Sequence, residues 1–222
     1  MKRLKPVLCV LVCTAAFGQS TDAILARMDQ EAPKFHGVKA DVEMLTYTAI
    51  ISDKTDEKGT LKMQRLKSGE VRAILDFPEQ KDARTIAFLG NIVRIYYPNA
   101  KTYQDFDVGK NADVLNQFLL LGFGSSGKAL AQSYDITAEG QESVAGQNCT
   151  KLQLIPKSKD VKDRLSKIEV WIPNDAAYPV QQEFYEASGN YRIVTYTQVQ
   201  LNPPIKGALE FKLPHGASRQ GT

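Results

Sequence analysis

The sequence has few of the residues from which catalytic and metal sites are usually built. Its 222 residues include two histidines, His36 and His215, which lie near opposite ends of the chain that follows the N-terminal leader. It contains no HExxH, CxxC, GxSxG, P-loop or GxGxxG pattern, so the corresponding hydrolase, redox and nucleotide-binding motifs are missing. We therefore expect a protein that is not an enzyme and that holds neither a metal ion nor a cofactor.

Apolar runs long enough to span a membrane are lacking as well. At the N-terminus, Lys2, Arg3 and Lys5 precede an apolar run over residues 7–17, which ends in the small-x-small pattern Ala-Phe-Gly. Roughly 11 apolar residues are too few for a bilayer, which needs about 20, and they suit the apolar region of a signal peptide. The sequence predicts a cleavable signal peptide over residues 1–18 and export, followed by one domain over residues 19–222.

Net charge and cysteine are scarce once that segment is removed. Three of the 28 basic residues lie in it and no acidic residue does, so 25 basic and 25 acidic side chains remain. A balanced chain has no general electrostatic attraction for nucleic acid. Cys9 and Cys13 leave with the signal, and neither follows the small residue expected before a lipidated cysteine. Cys149 then lacks a disulfide partner in its own chain, and we expect it to be a buried core residue in a strand.

Most of the remaining chain alternates between apolar and polar residues with the period of two that is typical of strands. The predicted strands include residues 38–44, 59–65, 71–77, 92–97, 102–108, 152–154, 168–172, 179–185, 191–201 and 209–213. Helical spacing is confined to about a dozen residues after Ser20, closed by Pro33, and to residues 112–121 and 127–132. Roughly ten strands without regular strand–helix alternation predict a mainly β (α+β) fold with an antiparallel, strongly curved sheet.

Residues 114–130, VLNQFLLLGFGSSGKAL, form a short apolar segment beside a glycine-rich run. Residues 118–121 cover most of a helical turn, so the predicted helix is apolar on nearly every side and must be covered on several. Two interpretations fit this pattern. The helix is either a core helix packed on the sheet or a movable lid, residues 114–121, over an incompletely closed barrel with an apolar interior. In the second case Gly122, Gly124 and Gly127 form its hinge.

Arg65 is an unusual residue on an apolar strand face. Alternation places it on the same side as Leu61 and Met63. An arginine there is costly unless it is paired or hydrogen-bonded. Its side chain either reaches water at the strand end, or points inward and binds the lid helix or its C-terminal carbonyls, which would latch the empty cavity.

Several segments together resemble the LolA-like periplasmic carriers of outer-membrane lipoproteins, over essentially all of the chain after residue 18. The similar segments are DAILARMDQEAPKFHGVKADVEM, GTLKMQR, VRAILDFPEQ, TIAFLGNIVRIYYPNAKTYQDF, FLLLG and LEFKLPHGA. The chain departs from the family pattern at Leu66, where a proline is usual, at Leu89, where Asp-Gly is usual, and at Arg94, where an aromatic residue is frequent. The order and spacing of these segments carry the resemblance.

The resemblance implies a curved antiparallel half-barrel of about ten to eleven strands, with short helices lidding its concave hydrophobic face. It also implies a cavity for acyl chains, with Arg65 matching the arginine that holds the lid shut in the family. The residues expected to form the lid and line the cavity are Val114, Leu115, Phe118, Leu119, Leu121, Phe123, Leu61, Met63, Leu75 and Phe77.

The function implied is a periplasmic carrier that works as a monomer. It would take acylated lipoproteins from an inner-membrane releasing transporter and pass them to an outer-membrane acceptor. The alternative is a regulator on the same fold that binds lipid or a protein partner and signals envelope stress. Such regulators usually carry a further domain, and the expected last strand lies close to the C-terminus of this sequence, so we expect the carrier.

Overall fold

The computed structural model describes residues 20–78, 81–109 and 119–220. Twelve strands in these ranges form one curved, unclosed sheet in the order β12-β6-β5-β4-β3-β2-β1-β11-β10-β9-β8-β7. Neighbouring strands are antiparallel, except that β12 runs parallel to β6. The strands are β1 Gly37–Thr48, β2 Asp53–Arg65, β3 Val71–Phe77, β4 Arg84–Leu89, β5 Ile92–Tyr97, β6 Thr102–Asp107, β7 Tyr134–Val144, β8 Gln147–Pro156, β9 Leu165–Pro173, β10 Gln181–Glu186, β11 Tyr191–Leu201 and β12 Ser218–Arg219. The mainly β, curved antiparallel fold predicted from the sequence is confirmed.

Short helices lie beside the sheet. They are α1 Thr21–Glu31, α2 Gly127–Ser133 and α3 Lys159–Lys162. The Ser20 side chain caps α1 by accepting a hydrogen bond from the backbone N–H of Ala23 at 3.2 Å. A 3-10 turn that contains Pro33 follows α1, because proline cannot continue an α-helix. No helix in the described part of the chain is both long and apolar enough to cross a membrane.

The concave face of the sheet carries the main hydrophobic core. Directly opposite residues of antiparallel strands share a face, so the register places Leu61 with Leu75 and Met63 with Ala73. The buried core residues on the strands are Val38, Ala40, Val42, Leu61, Met63, Val71, Ala73, Phe77, Leu152, Leu154, Ile168, Val170, Ile172, Phe184, Val194 and Tyr196. Ile24 and Met28 of α1 belong to the same cluster. Cys149 is fully buried in β8, as expected, in a smaller cluster with Trp171 and Val180.

The prediction of a strand over residues 209–213 is wrong. These residues cross the outer face of the sheet, where side chains rather than a neighbouring strand bind their backbone. The side-chain oxygen of Gln64 accepts the N–H of Leu209 at 2.6 Å, and Arg72 donates to the Leu209 carbonyl at 3.2 Å. Farther along, Phe211 lies 5.9 Å from the ring of Tyr96 in β5. The chain therefore reaches its last strand, β12, by crossing the outside of β2–β5, which we call the C-terminal strap (residues 205–213).

Candidate functional site

Residues 119–130 lie against the concave face, and we call them the cover segment. Leu121 and Phe123 are each 1% exposed and belong to the main core. The Phe123 ring meets the ring of Tyr196 edge-on at 4.9 Å and lies parallel to that of Tyr178 at 6.2 Å. Edge-to-face and stacked aromatic pairs of this kind add to the stabilisation from burial. The cover segment therefore seals part of the concave face in this conformation.

Arg65 links the cover segment to the end of α1. One of its terminal nitrogens donates to the Gly124 carbonyl at 2.6 Å and the other to the Ala32 carbonyl at 2.9 Å. Its guanidinium carbon lies 5.3 Å from the centre of the Phe35 ring. Burial lowers the pKa of Arg65, and in the described ranges no ion pair with a carboxylate offsets that cost. A partly buried cation here is thus stabilised by two carbonyls and an aromatic ring.

Gln182 of β10 supplies a second polar contact to the cover segment. Its side-chain nitrogen donates to the Leu121 carbonyl at 2.7 Å, and its side-chain oxygen accepts from the Tyr196 hydroxyl at 2.6 Å. Both Gln182 and Tyr196 are buried, and burial raises the pKa of Tyr196 well above its ordinary value. The hydroxyl therefore stays protonated and donates, which leaves the Gln182 amide free to hold the Leu121 carbonyl.

Gly122 and Gly124 allow the cover segment to approach its neighbours closely. Both have left-handed backbone angles, with φ of +81° and +80°. A Cβ atom on Gly122 would come within 2.6 Å of the Pro179 ring, and one on Gly124 within 2.3 Å of the Phe35 ring. Both positions thus require glycine for the closed arrangement, whereas their role as a hinge stays a prediction.

Gly127, the third predicted hinge residue, begins α2. A Cβ atom there would lie 2.3 Å from the backbone carbonyl oxygen of Leu25. The neighbouring N–H of Lys128 donates to the Asp29 carboxylate at 3.1 Å. Gly127 therefore permits the close crossing of α1 and α2, which fixes the far end of the cover segment.

Two cavities flank the contacts of Arg65. One has a volume of about 360 Å³ and is bounded by the cover segment, α2 and Arg65. The other, of about 340 Å³, lies between α1, Phe35 and the loop that contains Tyr178. Ala32, Gly124 and Ser125 line both cavities. Each is at the lower end of the roughly 300–1,000 Å³ found for small-molecule sites.

The concave face of β4–β6 is apolar but less covered. Register places Ile86 and Ile95 beside Leu75, and Phe88, Val93 and Phe106 beside Ala73. Leu75, Ile86, Phe88, Val93 and Ile95 are half-buried, and Phe106 is 48% exposed. These side chains form a continuous apolar surface that we call the open patch (Leu75, Ile86, Phe88, Val93, Ile95 and Phe106).

The predicted lining residues fall into four groups. Leu61, Met63 and Phe77 are buried on the concave face, and Leu75 belongs to the open patch. Leu119, Leu121 and Phe123 lie in the cover segment. Val114, Leu115 and Phe118, and with them most of the predicted lid over residues 114–121, lie outside the described residues. That these side chains line a ligand cavity stays a prediction.

Gln182, Tyr196 and the open-patch residues other than Leu75 were not predicted from the sequence. Gln181 and Gln182 are both polar, so strand alternation does not show which of them faces the core. Among the residues that the structure describes, no cluster of histidine, cysteine, aspartate and glutamate could hold a metal ion. The concave face offers apolar contact, the hydrogen-bonding groups of Arg65, Gln182 and Tyr196, and the ion pair of Arg84 and Glu57.

A family model described as an uncharacterized protein matches residues 69–207, which is well over half of the chain. The chain belongs to that family. The matched residues run from β3 through β11 and include the open patch and the cover segment. No curated protein sequence matches the chain.

Solved structures share the fold of this family member at low sequence identity. An uncharacterized conserved protein from Thermus thermophilus is 13% identical with a TM-score of 0.54, covering 91% of this chain and 99% of its own. MucB is 15% identical with a TM-score of 0.50. The match covers 89% of this chain and 63% of MucB. A Vibrio parahaemolyticus domain named for outer-membrane lipoprotein sorting is 14% identical with a TM-score of 0.44. The match covers 84% of this chain and 95% of that domain. The likeness to the Thermus thermophilus protein and to MucB shows that this chain shares their overall fold.

Proposed function

We propose that the protein is a periplasmic carrier that binds the acyl chains of lipoproteins on its concave face and takes them from the inner to the outer membrane. One observation supports this proposal most strongly. The cover segment is held to the sheet by the side chains of Arg65 and Gln182, which bind its carbonyls at 2.6 and 2.7 Å. A segment held in this way can leave the sheet without breaking a strand ladder.

The energies involved favour a reversible exchange between cover and cargo. A hydrogen bond to a charged group contributes about 1.5–3 kcal/mol. Burial of an acyl chain contributes about 0.8 kcal/mol per CH₂. The Arg65 hydrogen bond to Gly124, the one of its two bonds that holds the cover segment, is therefore offset by burial of roughly two to four methylenes. A longer chain can displace the cover segment, and reclosure of the segment offsets part of the binding energy when the chain leaves.

Substitution of Arg65 tests this exchange. We expect Arg65→Leu to load acylated lipoprotein but to release it poorly to acceptor membranes, because reclosure no longer competes with the cargo. Arg65→Lys is the matched control, since its single ammonium keeps the charge but cannot span the Ala32 and Gly124 carbonyls in the same way. It should release cargo at a rate between those of the wild type and Arg65→Leu. Normal handover by Arg65→Leu would contradict the latch.

The carrier role itself is tested by native mass spectrometry of the protein isolated from the periplasm. We expect a bound species with the mass of an acylated protein or lipid, and uptake of lipoprotein from loaded inner-membrane vesicles. The same lipoprotein without its acyl chains is the control and should not be taken up. A mass of the free chain alone, together with no uptake, would contradict the carrier. The N-terminal sequence of the isolated protein also tests signal cleavage, for which we expect Gln19 first.

A second candidate is a regulator that binds a protein partner and signals envelope stress. Its support is the likeness to MucB at a TM-score of 0.50, since MucB has also been solved in complex with MucA. The same mass spectra distinguish the two functions. A stoichiometric protein partner without acyl chains supports the regulator, whereas acylated cargo supports the carrier. The inner-membrane transporter and outer-membrane acceptor belong to the carrier proposal and are tested by the handover assay.

A further inference from the structure

The tip of the β1–β2 hairpin exposes two adjacent isoleucines. Ile50 is 92% exposed and Ile51 is 67% exposed, and both lie on the 3-10 turn Ala49–Ile51. Other large apolar side chains with substantial exposure in the described ranges, Ile92, Phe106 and Leu201, are each less than half exposed. Burial of a side chain such as isoleucine is worth about 1.5–3 kcal/mol. Two such side chains at one tip therefore form a strong contact point for an apolar environment.

Neighbouring groups hold this tip in a defined conformation. The N–H of Ala49 donates to the side-chain oxygen of Asn190 at 2.9 Å, which ties the tip to the adjacent β10–β11 hairpin. Ser52 closes the turn in a left-handed conformation, and its N–H donates to the Ala49 carbonyl at 3.2 Å. Tyr47 and Tyr191 stack behind the tip with ring centres 4.9 Å apart. The two isoleucines are thus presented outward by a well-connected turn.

The two hairpin ends at the tip contain no charged residue themselves, and the Glu186 carboxylate accepts hydrogen bonds from Ser188 and Asn190 beside them. Residues 48–52 and residues 187–191, which form the two adjacent hairpin ends, contain no lysine, arginine, aspartate or glutamate. The first charged residues on their flanks are Glu43, Asp53, Glu186 and Arg192. By contrast, the connection between β8 and β9 at the same end of the sheet contains Lys157, Lys159, Asp160, Lys162, Asp163 and Arg164. The uncharged surface is therefore confined to the isoleucine tip and its neighbour.

We propose that Ile50 and Ile51 insert into the interface of a zwitterionic phospholipid bilayer. A protein partner would need a pocket shaped to fit two protruding β-branched side chains. A fluid bilayer adapts to a protruding apolar group of any shape. Tyr47 and Tyr191 lie behind it, and tyrosine is enriched at the level of lipid headgroups. Because acidic and basic residues flank the tip together, anionic lipid is not required. The inference does not rest on the proposed carrier function, since the tip is separated from Arg65 by the length of β2, about 40 Å.

Vesicle flotation with the whole protein and phosphatidylcholine vesicles tests this inference. We expect wild-type protein to float with the vesicles, and Ile50→Ser/Ile51→Ser to reduce the bound fraction about tenfold. Ile92→Ser/Leu201→Ser is the matched control, because it removes two other exposed apolar side chains and should bind as the wild type does. Ile50→Leu/Ile51→Leu should also bind normally, since a bilayer accepts any apolar side chain whereas a shape-specific protein pocket does not.

Fluorescence gives a second readout that does not depend on the amount bound. Trp171, the only tryptophan of the chain, is buried, so Ile51→Trp adds a reporter at the surface. We expect its emission to shift to shorter wavelength on addition of vesicles and to be quenched by brominated acyl chains. An unchanged bound fraction in the serine variant, absence of vesicle binding by the wild type, or a tryptophan that brominated lipid does not quench would each overturn the proposal.

Discussion

Strands β8 and β9 and strands β4–β6 lie on opposite sides of the sheet and differ in how deeply their concave side chains are buried. In β8 and β9, Leu152, Leu154 and Ile168 are almost fully buried on the concave face. In β4 and β5, the buried residues Thr85, Ala87 and Tyr96 lie instead on the outer face, beneath the C-terminal strap. The concave face of β4–β6 is left as the open patch.

This difference separates the fully buried part of the concave face from the half-buried part that we propose for binding. In β8 and β9 the concave side chains already pack against other core residues, so a ligand there would have to displace them. In β4–β6 the outer face supplies the stabilising contacts, including the bidentate pair of Arg94 and Asp105. The open patch can therefore exchange one apolar neighbour for another at little cost to folding. We infer that an acyl chain binds there first and then extends beneath the cover segment.

The largest effect is expected from matched truncations in the two regions. Ile168→Ala should lower the free energy of unfolding by about 2–5 kcal/mol, because it leaves a cavity in a close-packed core. Ile86→Ala, on the half-buried open patch, should lower it by roughly 1 kcal/mol, because less apolar surface is lost. Denaturant titration of both variants measures the difference. Equal losses would show that the open patch is as much a part of the stable core as β9.

A second prediction concerns the closed position of the cover segment. Gly124→Ala should destabilise the closed form by about 2 kcal/mol or more, because the backbone is left-handed and the new Cβ would overlap the Phe35 ring. Gly146→Ala is the matched control. Its glycine has φ of +75° and has nothing within 4 Å of the added carbon, so the backbone strain alone should cost about 1–2 kcal/mol.

Limited proteolysis and denaturant titration distinguish these two glycine variants. Cleavage within residues 119–130 should be faster in Gly124→Ala than in the wild type, whereas Gly146→Ala should leave it unchanged. The same cleavage rate in both variants would mean that the contact between Gly124 and Phe35 does not hold the cover segment in place.

Polar substitutions in the open patch should weaken ligand binding more than they weaken the fold. Ile86→Ser/Phe88→Ser should weaken the affinity for a fluorescent fatty acid at least about tenfold, which corresponds to about 1.4 kcal/mol, because polar groups interrupt the open patch. Ile92→Ser lies on the outer face of β5 and serves as the control, with unchanged affinity expected. Fluorescence titration gives both dissociation constants. Undiminished affinity in the double variant would place the ligand elsewhere.

The smallest effect concerns the outer face of β4–β6. Hydrogen bonds from Arg94 lower the pKa of Asp105 below its ordinary value of 3.8. A carboxylate with a lowered pKa in the folded state stabilises the fold above its ordinary pKa, and this contribution is lost as the pH falls through the lowered pKa. Stability should therefore decrease below about pH 4, and less steeply in Asp105→Asn. Denaturant titrations from pH 2 to 7 measure both slopes, and identical slopes would show that this pair contributes little.

Several features of the fold follow from the sequence because they depend on local periodicity. Alternation predicted β3, β5 and β11 with the bounds that the structure has, and it predicted that Arg65 shares a face with Leu61 and Met63. Residues 209–213 show the limit of this reasoning. They alternate as a strand does, but the available hydrogen-bonding groups are the side chains of Gln64 and Arg72 rather than a free strand edge.

Other features depend on tertiary contacts that no local pattern reports. Gln182 holds the cover segment only because β10 lies opposite Leu121 across the concave face. The Ile50–Ile51 pair could equally be a buried turn, and its exposure follows from the projection of the β1–β2 hairpin. The open patch forms because the register of β3–β6 brings side chains from four strands together on one face. Each depends on residues distant in sequence, which single-sequence periodicity does not connect.

Photocrosslinking with an acyl chain tests the central claim most directly. The protein is loaded with a fatty acid that carries a diazirine near its methyl end, irradiated, digested and analysed by mass spectrometry. Our account predicts crosslinks on Ile86, Phe88 and other residues of the open patch and on Leu119 or Leu120 of the cover segment. Crosslinks confined to the outer face, for example to Ile92 or Phe211, or the absence of any crosslinked peptide, would contradict it.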